Sequence, residues 1–166
     1  MKLKDEYSLI VPFSLGGVLV RASKEFILES VFVKKSRLKD NNAVGFYKRP
    51  QIQLLKEAKK QLSYYLEGRG RALSLPLDMS VGTTFQRSVW LSLQRIPFGE
   101  TCSYKDIAVS INNPKGSRAV GGANNKNPFL LFVPCHRVIN KNGELGGFGV
   151  GKRLKKWLLN LEGVKI

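Results

Sequence analysis

The patterning of apolar residues changes along this 166-residue chain, and the change restricts the fold to a small sheet followed by helices. The first third carries three runs rich in β-branched and aromatic residues, "YSLIVPF", "GGVLVRAS" and "FILESVFVKK", divided by short turn signals that include the pair Gly16 and Gly17. These runs predict a small antiparallel sheet. From Pro50, "PQIQLLKEAKKQLSYYLEG" sets Ile52, Leu55, Ala58, Leu62, Tyr65 and Leu66 at helical spacing, with a first-turn proline and a terminal Gly68. One amphipathic helix is expected to cover the sheet. "RALSLPLDMSVG" reads as a short strand running into a linker, and no sheet-like alternation continues beyond it. "TTFQRSVWLSLQRI" predicts a helix capped by Thr83 or Thr84, with Phe85, Val89, Trp90 and Leu93 inward and "PFGE" as its end. The expected fold class is α+β, with an N-terminal α/β domain over residues 1–80 and a helical C-terminal domain over residues 81–166.

Composition narrows the function classes. The longest apolar run, "PFLLFVP", is far too short to span a bilayer, and "MKLKDEYSLI" has no long apolar segment with a cleavage site. A cytoplasmic protein with no membrane partner is expected. Two cysteines make no disulfide framework, and one histidine without a CxxC pair makes no Cys/His zinc site. A carboxylate-bound metal stays open, although the acids are scattered and form no cluster, and no nucleotide or metal motif is found, so no metal or other cofactor is expected. The formal charge is +16: residues 1–80 contribute +7 (15 basic, 8 acidic) and residues 81–166 contribute +9 (13 basic, 4 acidic). A polyanionic partner accounts for that excess economically, although a merely basic surface would also produce it.

"SYKDIAVSI", "NNPKG" and "SRAVGGANNK" read as helix, tight turn, helix, with Ser103 as N-cap, Asp106 three residues on, and Asn113-Pro114 with Gly116 as the break. That is the outline of a helix-turn-helix, which taken alone also fits any helical pair with a short loop. In the second helix Ala119, Gly122 and Ala123 fall at i, i+3 and i+4 and leave one face almost bare. Glycine inside a helix is costly, so either another helix or a bulky surface such as a nucleic-acid backbone must approach it. Arg118 is a single long cation beside that face.

"FVPCHRVIN" sets Cys135 against the only histidine, His136. Cys135 reads either as a small core residue following a buried strand, "LLFV", or as a nucleophile. A free thiol has a pKa of about 8.5 and needs a base, cation or helix N-terminus to become a thiolate at neutral pH. Adjacent strand residues point to opposite faces, so cooperation between Cys135 and His136 requires a turn at Cys135 or a bridging water. Pro134 and "NKNGELGG" make such a turn reasonable. A cysteine hydrolase is disfavoured, because the one histidine already sits beside the thiol.

"PCHRVI" resembles the active-site signature of the O6-alkylguanine-DNA alkyltransferases, and "PFGETCSYKDIA", "SRAVGGANNKNP", "NGELGGFGVG" and "KKWLLNLEG" match that family's motifs in order over residues 83–164. The resemblance implies an N-terminal α/β domain with an RNase H-like sheet and a C-terminal domain carrying a helix-turn-helix. It implies direct-reversal DNA repair, in which the alkyl group of O6-alkylguanine, and of O4-alkylthymine in some cases, passes irreversibly to Cys135 after nucleotide flipping. This is the activity of a methylated-DNA--protein-cysteine methyltransferase, consumed in a single turnover and needing no cofactor.

The resemblance also assigns residues. His136 acts on Cys135 through a water and is oriented by Glu162. Asn127 braces the turn into the active-site segment, and Tyr104 helps rotate the nucleotide and donates a hydrogen bond to guanine. Arg118 enters the stack in place of the flipped base, and the smooth helix with Gly122 and Ala123 lies in the minor groove of double-stranded DNA. Lys105, Asn113 and Lys141 are placed for phosphate or sugar contacts. Val138, Phe148 and Gly149 wall the substrate pocket, Phe148 standing where many relatives have tyrosine. Arg137 is expected to be structural. The protein is expected to act as a monomer. Two other classes share parts of this pattern: a lesion-recognition module without alkyl transfer, which the presence of Cys135 disfavours, and a transcription regulator, which the few base-reading side chains on "AVGGAN" disfavour.

Overall fold

The computed structural model describes residues 6–39 and 52–166, which divide into two compact units. The first comprises the chain up to Asp78 together with Pro128–Phe132; the second comprises Met79–Asn127 and Val133–Ile166.

In the first unit, β1 (Tyr7–Phe13), β2 (Gly16–Ala22) and β3 (Ile27–Lys34) form an antiparallel sheet in the order β1-β2-β3. Leu9 and Val11 alternate onto the buried face of β1 and meet Val20 and Val18 of β2 in register. The first hairpin turns at Ser14-Leu15 rather than at the glycines, which lie inside β2. Gly16 is needed there for close approach: a Cβ would stand 2.3 Å from the Val33 carbonyl oxygen and 2.7 Å from the Phe32 ring. Helix α1 (Gln53–Leu66) buries Leu55, Ala58, Leu62, Tyr65 and Leu66 against β1 and β2, and Gly68, at φ +72°, ends it. Pro50, expected in its first turn, lies outside the described residues.

Two expected strands are not formed. In "RALSLPLDMSVG" only Leu77 makes a parallel bridge, to Ile27, before a 3-10 turn at Met79–Val81. "LLFV" is not a strand either. The backbone of Leu131, at φ +72°, turns the chain after one bridge between Phe129 and Ser30. Ser30 holds this segment from three sides: its amide donates to Pro128 O, its carbonyl accepts from Leu130 N, and its hydroxyl donates to Leu130 O at 2.9 Å. Residues 128–132, placed with the second half of the chain by sequence order, therefore pack in the first unit.

The second unit is helical. Helix α2 (Thr84–Leu93) starts with a capping box, Thr83 Oγ1 accepting from Gln86 N while the Gln86 side chain accepts from Thr83 N. Trp90 is fully buried, and its indole donates to Ala123 O at 3.0 Å, tying α2 to α4 (Ser117–Asn125). Helix α3 (Tyr104–Ser110) has a second capping box between Ser103 and Asp106, and residues 111–116 join it to α4. A two-residue parallel pairing of β4 (Cys102–Ser103) with β5 (Val138–Ile139) sets the start of α3 beside the segment that follows Cys135. Helix α5 (Lys152–Leu161) buries Leu154, Leu158 and Leu159.

Candidate active site

Pro134 precedes a 3-10 turn over Cys135–Arg137, so Cys135 and His136 leave the strand geometry that would separate their side chains. The Asn127 carboxamide holds the entrance to this turn. Its Nδ2 donates to Val133 O at 3.0 Å and to Cys135 Sγ at 3.3 Å. Burial pushes the Cys135 thiol up from its ordinary value, and the Asn127 hydrogen bond and the Lys155 charge oppose that only in part. At rest the sulfur is a thiol, and its ionisation needs a base.

His136 is buried, and Nε2 lies 2.8 Å from Glu162 Oε1. Burial lowers the pKa of its ring more than Glu162 raises it, so the imidazole is neutral. Beside a carboxylate a neutral ring carries its proton on Nε2, which leaves the Nδ1 lone pair as the basic site. Glu162 follows α5 and collects further donors: Arg137 Nε at 2.9 Å on Oε2, Arg137 Nη2 at 2.9 Å on Oε1, and Gly99 N at 3.2 Å. Arg137 Nη1 donates to Ile96 O at 2.7 Å, and its guanidinium lies 5.9 Å from the centre of the Phe98 ring. The arginine thus compensates the buried carboxylate and fixes the geometry of the pair that carries the base.

Lys155, which sequence reasoning missed, is fully buried. Its Nζ donates to Val138 O and, at 3.3 Å, to Gly147 O, with the Phe148 ring 6.0 Å away. Burial lowers its pKa to about 8. A signal was present: within the amphipathic α5, a lysine occupies a position adjoining the inward row Leu154, Leu158 and Leu159. The lysine pins the glycine-rich segment to β5.

That segment closes one side of a cavity of about 90 Å³ whose lining includes Cys135, Tyr104, Asn124, Phe148 and Gly149. The Tyr104 hydroxyl donates to Gly147 O at 3.4 Å, and burial raises its pKa, keeping it a donor. Gly146, at φ +67°, lies under the Tyr104 ring, where a Cβ would come within 3.3 Å of the ring and 2.9 Å of Asn140 Oδ1. Val138, expected as a pocket wall, is fully buried and is not among the residues that line this cavity.

Outside the cavity, Arg118, Ala119 and Gly122 are exposed along α4, and a Cβ on Gly122 would meet nothing within 4 Å. Ala123, expected on the same open face, is instead buried, since its turn of helix packs against Trp90. Lys105, Asn113 and Lys141 are exposed. Lys105 and Lys141 line an open cleft of about 320 Å³ with Cys102 and Asp106. Among the described residues no three His, Cys, Asp or Glu side chains are grouped to hold a metal ion, and no helix is long and apolar enough to cross a membrane.

The family model "6-O-methylguanine DNA methyltransferase, DNA binding domain" matches residues 84–164. The chain is 43% identical over 148 residues to the constitutive methylated-DNA--protein-cysteine methyltransferase of Bacillus subtilis, covering 88% of this chain and 89% of the relative. The crystal structure of Mycobacterium tuberculosis O6-methylguanine methyltransferase superposes with a TM-score of 0.80 at 33% identity, over 95% of this chain and 92% of that one. That of M. tuberculosis OGT in complex with DNA gives 0.78 at 34% identity, over 95% and 91%. With its cysteine, histidine and glutamate brought together in this way and its likeness extending over nearly the whole chain, the protein belongs to the methylated-DNA--protein-cysteine methyltransferase family.

Proposed function

We propose that the protein reverses alkylation damage in DNA by moving the alkyl group of O6-alkylguanine onto Cys135. The observation that carries this reading is a buried thiol in the lining of a small cavity, held by Asn127 and next to the neutral His136 ring with its Glu162 partner. His136 accepts the thiol proton by way of a water. The sulfur then attacks the alkyl carbon: the S–C bond forms as the C–O6 bond breaks, and the electron pair leaves on the guanine. A proton gained at guanine N1 balances the one lost by the thiol, and the Tyr104 hydroxyl donates to the base as charge develops on it. The thioether formed has no group placed to cleave it, so each protein molecule acts once.

An O6-alkyl group lies within the duplex, beyond the reach of a buried thiol, so the nucleotide must be flipped, at a cost of a few kcal/mol. The exposed Arg118 is positioned on α4 to fill the vacated stack, and the bare strip at Ala119 and Gly122 suits close approach of a minor groove. In this reading α3 and α4 act as a helix-turn-helix, Lys105, Asn113 and Lys141 contact the backbone, and the first unit is an RNase H-like domain. Its strand-strand-strand-helix order supports that last assignment. O4-alkylthymine is a further substrate under the same chemistry.

The experiment is intact-protein and peptide mass spectrometry after incubation with a duplex carrying one O6-methylguanine. One methyl on Cys135, formed stoichiometrically with restored guanine and absent from Cys135→Ser, is expected. Tight lesion binding without methylation would instead leave a recognition module.

A further inference from the structure

Helix α1 buries Leu55, Ala58, Leu62, Tyr65 and Leu66, and its opposite side carries Lys56, Lys60 and Tyr64 at i, i+4 and i+8, all exposed, with the exposed Lys59 beside them. Like charges at i, i+3 and i, i+4 repel across a helical turn, so this arrangement weakens the helix unless something answers it. Among the described residues nothing does: Lys56, Lys59 and Lys60 make no ion pair there. Glu57, three residues before Lys60, accepts instead from Gln61 Nε2 at 3.0 Å. Just beyond the helix the Arg69 guanidinium lies 4.3 Å from the centre of the Tyr64 ring and continues the cationic row, and Arg69 N donates to Tyr64 O at 2.9 Å. Glu67 pairs with Arg69, and Arg71 is exposed. Residues 53–71 thus hold five cations (Lys56, Lys59, Lys60, Arg69, Arg71) against two acids (Glu57, Glu67), neither of which is engaged with a lysine.

We propose that this face of α1 is a second surface for duplex DNA, on which Lys56, Lys60 and Arg69 contact the phosphate backbone while Tyr64 holds Arg69 in place. The inference rests on the duplex binding proposed above, which it extends to the first unit. A row of cations along one helix face suits a row of phosphates, and contacts of this kind add affinity without reading sequence. DNA is favoured over another polyanion because the second unit already brings a duplex to the molecule, and a contact made by a molecule already bound needs no separate encounter. The face also gives a use to the +7 of residues 1–80 (15 basic, 8 acidic), which the groups around Cys135 leave unexplained.

The test measures binding of the full-length protein to a long undamaged duplex over a range of salt concentrations. Lys56→Gln/Lys60→Gln is compared with Lys24→Gln/Lys34→Gln, which removes the same charge from exposed positions of the same unit outside α1. The α1 pair is expected to lower the salt slope by about two and the affinity by about tenfold, with the control pair close to wild type. Methyl transfer to Cys135 at saturating duplex is expected to keep the wild-type rate in both, since these contacts touch no reacting atom. An unchanged slope in the α1 pair overturns the inference and leaves the face to an RNA or an acidic protein. An equal loss in the control pair overturns it too, because net charge and not this face would then govern binding. A wild type without salt-dependent duplex binding would overturn the duplex-binding reading itself and this inference with it.

Discussion

His136 shows how burial and charge divide the work at a single residue. The ring sits against a carboxylate that would raise its pKa, yet burial dominates and lowers it below 6.5. The consequence for stability has a definite sign. Below pH 6.5 the unfolded chain binds a proton that the folded imidazole refuses, so this residue's contribution is fully present above 6.5 and declines as pH falls toward the folded value. Denaturant unfolding at pH 7.5 and 5.5 is expected to show lower stability at 5.5, with the difference reduced in His136→Gln. An identical difference in the variant would place the acid sensitivity elsewhere. Arg137 supports the same chemistry indirectly, since its fork on Glu162 keeps the carboxylate compensated and leaves His136 free of the need to be charged.

At the scale of elements, α4 combines a packed and an unpacked side within nine residues. Val120 and Ala123 are buried, whereas Gly122 is exposed with nothing within 4 Å of a Cβ built on it. Glycine in a helix interior costs about 0.5–1 kcal/mol relative to alanine. Gly122→Ala should therefore raise stability by about that amount in a thermal or denaturant melt while weakening affinity for duplex DNA. Stabilisation with unchanged DNA affinity would show that no backbone approaches this strip. Opposite effects on folding and binding are the signature of a residue kept small for a partner.

For the molecule as a whole, a charge of +16 distributed over both halves of the chain sets the expected binding behaviour. Each phosphate neutralised on duplex DNA lowers log K by about 0.9 per tenfold rise in salt. Affinity for duplex DNA is expected to fall steeply with salt and to vary little with sequence, and Lys105→Ala and Lys141→Ala should each reduce the slope by about one. A nearly flat salt dependence, or strong preference for one sequence, would contradict backbone-directed binding and favour a regulator.

The amino-acid sequence by itself determined the elements whose cause is local. Alternation in the first third specified β1 to β3, the apolar spacing specified α1 and α2, and the Ser103/Asp106 pair and the threonines Thr83 and Thr84 marked two helix starts, because period and capping act over a few residues. It also singled out Cys135, His136, Asn127 and Glu162 through motif and resemblance. Only the tertiary structure decided which partners they meet. The Arg137–Glu162 fork spans 25 residues of chain, and the bond from Lys155 to Val138 spans 17. Pro128–Phe132 joins a sheet about 100 residues earlier, as the bond from Ser30 to Leu130 records. Ala123 is turned inward although its spacing with Ala119 and Gly122 suggested an open face. Burial and hydrogen-bond satisfaction are properties of packed elements, and a polar side chain such as Lys155 finds its partner only once those elements close around it.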